Sequence, residues 1–137
     1  MTEVVVDCSA VVPWFFPEEN TGLAGALFND VRRGRVVCLA PSLLRAEFGN
    51  VVWKKIRRNQ CGLSSAATQL ELFQKAEIYH FEIKPLLAAA LVLACRHEIT
   101  VYDALYLALA RHAEASLATL DRTLAKRARD AGVTVYE

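Results

Sequence analysis

Short runs of aliphatic residues alternate along this chain with longer stretches in which apolar side chains recur every three or four positions. Glu3-Val4-Val5-Val6-Asp7 is a β-branched run ended by an acid, the pattern of a strand buried on both faces. Arg35-Val36-Val37-Cys38-Leu39-Ala40-Pro41 repeats it and is stopped by proline. Leu117-Ala118-Thr119-Leu120 predicts a further interior strand, and Val133-Thr134-Val135-Tyr136 a last one. Ile78 to Ile83 alternates and is either a short strand or an extended connector.

Between these runs the period is helical. Asn20 or Thr21 caps a helix to about Arg33, with Leu23, Ala24, Leu27, Phe28 and Val31 as its apolar stripe and Gly34 as its stop. Ser42 caps a long helix from Leu43 to about Arg58, and Ser64 or Ser65 opens another to about Lys75. Pro85 sits at the first position of a helix to about His97. Thr100 caps a helix that is apolar nearly all round, through Ala104, Leu105, Leu107, Ala108, Leu109 and Ala110. The last helix runs from Arg122 to Asp130, with Gly132 beyond it. Val11 to Phe16, broken by Pro13 and Pro17, is a loop or short helix whose aromatics pack on the core. Strands alternating with helices predict an α/β domain with a parallel sheet between helices.

Composition narrows this further. A chain of 137 residues supports one domain, residues 1–137, with a sizeable core. An apolar share of 54% implies a large buried fraction, or a face buried against a partner. The formal net charge of +1 gives no global attraction to nucleic acid, so such binding would rest on local patches. Cys8, Cys38, Cys61 and Cys95 show no metal-ligand spacing and read as small buried thiols, Cys61 excepted because it lies by a turn. The N-terminus lacks the basic region of a signal peptide, and the apolar run Leu86 to Cys95 is too short for a bilayer. A cytoplasmic protein without membrane association is expected.

The chemistry lies in four acids set in apolar sequence. Asp7 ends the first strand, at the edge of a parallel sheet where ligands collect. Glu47 shares an apolar row with Leu43 and Val51, where burial without a partner costs on the order of several kcal/mol. Asp103 has no Lys or Arg within helical reach, and Asp121 closes the third aliphatic run. Each has a plain structural role available: Asp7 as a turn aspartate, Asp103 in a capping box with Thr100, Asp121 as the N-cap at Arg122. Capping and cation binding are compatible, because a helix N-terminus keeps a carboxylate ionised. If the four converge, each close pair repels by about 4 kcal/mol at an effective dielectric near 20. Raised pKa values or a divalent cation would make the cluster tolerable, and oxygen ligation suits Mg²⁺ or Mn²⁺. His80, His97 and His112 lack ligand spacing. Basic runs at Arg32-Arg33-Arg35, Lys54-Lys55-Arg57-Arg58 and Arg122 to Arg129 usually mark solvated helix ends. Arg122 and Lys126, beside Asp121, are the best placed to meet phosphate.

The segments Val-Val-Val-Asp7-Cys-Ser9-Ala, Ala-Pro-Ser-Leu-Leu-Arg-Ala-Glu47, Val-Tyr-Asp103-Ala-Leu-Tyr-Leu-Ala-Leu-Ala and Ala-Thr119-Leu-Asp121-Arg-Thr-Leu together resemble the PIN-domain family. The likeness is greatest to the VapC-type ribonuclease toxins of toxin–antitoxin pairs, and it spans essentially the whole chain in order. It implies a three-layer α/β/α domain and metal-dependent endoribonuclease activity. By motif position, Asp7, Glu47, Asp103 and Asp121 become the metal-site acids, with Ser9 and Thr119 as polar supports. It further implies an RNA substrate, a small antitoxin partner and a homodimer. The Trp14-Phe15-Phe16 segment and the number of cysteines fall outside the pattern, which leaves substrate and partner choice open. A catalytically idle RNA- or protein-binding module is the alternative. A haloacid-dehalogenase-like phosphatase would need Asp where Ser9 stands, and a receiver domain would need a late strand-end Lys.

Overall fold

The computed structural model describes residues 1–17 and 22–137. Four strands, β1 (Thr2–Val6), β2 (Val36–Pro41), β3 (Ile78–Phe81) and β4 (Ser116–Ala118), form one parallel sheet in the order β3-β2-β1-β4. Seven helices join and cover them among the described residues: α1 (Cys8–Phe15), α2 (Gly22–Arg32), α3 (Leu43–Arg57), α4 (Leu63–Lys75), α5 (Leu87–His97), α6 (Val101–Ala113) and α7 (Arg122–Asp130).

Strand alternation divides the core into two layers. Val4, Val6, Cys38, Ala40 and Ala118 point toward α1 to α4, where Phe48 and Phe73 stack with ring centroids 4.0 Å apart. Val5, Leu39 and Leu117 point the other way, against α5, α6 and α7. The result is three layers, α/β/α, with Ala104 through Ala110 of α6 buried on every side. Among the described residues no single helix is long and apolar enough to cross a membrane.

Several local expectations need correction or choice. Val11 to Phe16 takes the helical option, inside α1. Phe15 meets both Phe48 and Phe73 edge-on, and Trp14 Nε1 donates to the carbonyl of Ala24 at 2.9 Å, so this segment is core. Ser42 has helical backbone angles and makes no capping hydrogen bond with its side chain, so it is no N-cap. The extended residue before α4 is Gly62 rather than Ser64 or Ser65. Pro85 lies in a 3-10 turn, Lys84–Leu86, that leads into α5. The predicted last strand shrinks to one parallel bridge, Leu117 with Val135, because β4 itself is only 3 residues long. Gly132, at φ 79°, turns the chain from α7 back to that bridge. The thiols are all free, but Cys95 is exposed rather than buried. The expected cap at Asn20 or Thr21 lies outside the described residues.

The strand order fixes where chemistry can collect. From β1 the chain builds outward through β2 to β3, then returns to place β4 on the other flank of β1. Strand order therefore reverses between β1 and β4, and the carboxyl ends of that pair open a crevice. Asp7 follows β1, and Thr119 to Asp121 follow β4.

Candidate functional site

Asp7 is held first by its own turn. It is the N-cap of α1, and its Oδ1 accepts from the Ala10 N–H at 3.1 Å and the Ser9 hydroxyl at 2.7 Å. The Thr119 hydroxyl donates to the other oxygen, Oδ2, across 112 residues of sequence. Ser9 and Thr119 in turn accept from the N–H groups of Leu120 and Asp121 at 2.8 and 3.0 Å. These bonds lace the end of β4 to the end of β1. Asp7 is only 7% exposed, and burial drives its pKa up. The three donors pull it down, while the charge of Asp103 pushes it up again.

Glu47 reaches the same place from the first turns of α3. Its backing comes from the opposite layer: Tyr106 of α6 donates its hydroxyl proton to Oε1. Burial raises the Glu47 pKa, the Tyr106 hydrogen bond lowers it, and both Asp103 and Asp7 raise it. Tyr106 is 1% exposed, and its phenol is pushed far above its ordinary value, so it stays a donor. Sequence reasoning passed over Tyr106. The available signal was a phenol inside a helix apolar all round, where a buried hydroxyl needs a partner.

At the start of α6 the Thr100 hydroxyl accepts from the Asp103 N–H at 3.1 Å, which is half of a capping box. The other half is missing. Among the described residues no hydrogen bond or ion pair engages the Asp103 carboxylate. Its pKa is raised by burial and by the charge of Asp121. Asp121 caps α7, with Oδ1 accepting from the Leu124 N–H at 3.0 Å, and is exposed. It borders a shallow cleft shared with Arg122, Leu23, Ala125 and Tyr136. Arg122 and Lys126 are exposed on α7 and, among the described residues, pair with no acid.

The structure thus brings Asp7, Glu47 and Asp103 into mutual repulsion and links Asp103 to Asp121. None of these acids is paired with Lys or Arg among the described residues. Nor are they collapsed together: among the described residues no three acidic, imidazole or thiol side chains form a ready ligand set. Cys8 adds nothing to such a set. Burial, with Glu47 and Asp7 beside it, pushes its thiol up to about 12, so the thiolate that binds metal is absent near neutral pH. What remains is an all-carboxylate donor set of high negative charge density, which fits a hard divalent cation and does not fit zinc.

Comparison with known proteins agrees with the family resemblance and the fold. The PIN domain family model matches residues 4–130. Ribonuclease VapC3 of Pyrobaculum aerophilum is 33% identical over 129 residues, which cover 91% of this chain and 94% of that protein. The crystal structure of PAE2754 from Pyrobaculum aerophilum superposes with a TM-score of 0.67 at 25% identity, over 92% of this chain and 86% of that one.

Proposed function

The chain belongs to the PIN-domain family, VapC type, and from that membership and its acidic crevice we propose that it is a divalent-metal-dependent endoribonuclease, the toxin of a toxin–antitoxin pair. One observation carries the reading: burial and the charges of neighbouring acids, Asp121 among them, raise the proton affinities of Asp7, Glu47 and Asp103, and no basic side chain among the described residues pairs with any of the four. A fold gains nothing in stability from such an arrangement. A Mg²⁺ or Mn²⁺ ion would relieve it.

In this reading Asp7 and Asp103 hold the principal ion, and Glu47 and Asp121 complete the pocket through water or a second ion. A bound divalent ion supplies a water of lowered pKa and neutralises charge on the scissile phosphate. The remaining work falls to the protein. Ser9 and Thr119 fix the Asp7 carboxylate by three-point hydrogen bonding with the Ala10 N–H. Tyr106 aims Glu47. Arg122 and Lys126, exposed beside Asp121, contact the phosphates of a single-stranded or looped RNA. The name of the relative supports an antitoxin partner as well. A homodimer and a cytoplasmic location belong to the same proposal.

The test is RNA cleavage by purified protein with Mg²⁺, with Mn²⁺ and with EDTA, beside the Asp103→Asn variant. Metal-dependent endonucleolytic cuts, lost on chelation and in the variant, are expected. Equal cleavage by variant and wild type would remove the proposal, and RNA binding without cleavage would identify an idle module instead.

A further inference from the structure

The second basic run, Lys54-Lys55-Arg57-Arg58, adjoins a residue that helix electrostatics does not explain. Cations at the C-terminus of α3 complement the helix dipole. Trp53, immediately before them, is 51% exposed. Its ring carries the Arg57 guanidinium 5.3 Å from the centroid, a cation–π arrangement. Trp53, Lys54, Arg57 and Arg58 line one surface concavity, with no acid and no aliphatic residue among its lining residues. Lys54, Arg57 and Arg58 are exposed, and among the described residues none pairs with an acid. Lys55 differs, being buried with its Nζ 4.8 Å from the centre of the Phe16 ring.

A protein-binding surface has an apolar centre with depleted charge. This concavity is the reverse, one flat aromatic face framed by uncompensated cations. That combination matches a single-stranded nucleic acid, whose bases stack on aromatic rings while its phosphates meet Lys and Arg. We propose that Trp53, Lys54, Arg57 and Arg58 form an RNA-holding platform outside the acidic crevice, with Trp53 stacking a base and the cations taking the flanking phosphates. The choice of RNA as the polyanion rests on the proposed ribonuclease function. Trp53 is six residues beyond Glu47 on α3, about 9 Å along the axis and about 120° around it. RNA that curves over this helix by a few nucleotides reaches both places.

Binding, measured without turnover, tests the platform separately from catalysis. Wild-type protein in EDTA is titrated with a fluorescein-labelled oligouridylate of about twelve nucleotides, at several salt concentrations, following anisotropy and tryptophan emission. Trp53→Ala should weaken binding about tenfold, given the strength of base–aromatic stacking. Trp53→Phe should recover most of that loss, and quenching of tryptophan emission seen in the wild type should fall in both variants. Arg57→Gln and Lys54→Gln should each flatten the salt dependence by about 0.7 in log–log slope. Melting temperatures close to wild type establish that the variants are folded. Folded Trp53→Ala and Arg57→Gln variants that bind the oligonucleotide as wild type does would overturn the proposal. So would tight binding of an oligoglutamate peptide that the RNA does not displace. Trp53-dependent binding by a protein that cuts no RNA would sustain the platform while removing the ribonuclease reading.

Discussion

The hydroxyl of Tyr106 on α6 donates to Oε1 of Glu47 on α3, joining residues 59 apart in sequence. The bond ties the helical layer on one side of the sheet to the acid offered from the other. Because it favours the charged carboxylate, it opposes the rise in Glu47 proton affinity caused by burial, Asp103 and Asp7. Tyr106→Phe keeps the ring and removes the donor. The variant should fold, lose about 1 kcal/mol in denaturant unfolding, cleave RNA about tenfold more slowly at neutral pH, and regain part of that rate as pH rises and Glu47 ionises. A rate and pH profile identical to wild type would show that Glu47 needs no such support.

Thr119 and Ser9 make a parallel case at Asp7. Thr119→Val preserves shape and takes one donor from a buried carboxylate, so unfolding should become easier by about 2 kcal/mol. Ser9→Ala should cost less, since Ser9 is half-buried. Urea melts with unchanged m values would check both. Equal stabilities would mean that the lacing of β4 to β1 is not energetically significant.

The sequence announced the positions of the acids more clearly than their surroundings. Val4-Val5-Val6 ending at Asp7, and Leu117-Ala118 leading to Asp121, are local patterns, and local patterns fix strands and their exits. Thr100 as the cap of α6 was legible for the same reason and is observed. What was not legible depends on contacts between distant segments. The partner of Glu47 is a tyrosine on α6, three helices further along the chain, Ser42 yields its cap role because its backbone continues the helix, and Val133 to Tyr136 makes only a single bridge to a short strand. Asp30, near the end of α2, likewise takes its partners from outside its helix: its carboxylate accepts from the Tyr136 hydroxyl and lies 3.8 Å from Arg35.

Proton linkage gives the metal-free protein an unusual pH response. Asp7, Glu47 and Asp103 all bind protons more readily folded than unfolded. Their contribution to stability is full below the unfolded-chain values, about 4, and is lost as pH rises through the higher folded-state values. His80 acts in the opposite sense, because burial and Arg45 lower its pKa and its charging at low pH opposes folding. The difference between wild type and Asp103→Asn isolates the acidic term. In EDTA, the variant should gain stability over wild type as pH rises above about 4 and through the raised folded-state titration of Asp103. A difference that stays constant with pH would show that Asp103 titrates normally.

The thiols should sort by burial rather than by number. Cys8 and Cys38, both pushed up to about 12, should resist iodoacetamide in the native protein near neutral pH, whereas exposed Cys95 should react. Mass spectrometry of the alkylated protein, before and after unfolding, reads this directly. Rapid native labelling of Cys8 would mean that the acidic crevice is far more open than its packing indicates.

The central claim is that acids distant in sequence meet as one cation-binding cup, and Mn²⁺ binding tests it most directly. Electron paramagnetic resonance of free Mn²⁺, titrated with metal-free protein at pH 7, should show saturable binding in the wild type and a loss of at least tenfold in affinity in both Asp7→Asn and Asp103→Asn. Mn²⁺ affinity unchanged in both folded variants would contradict the account.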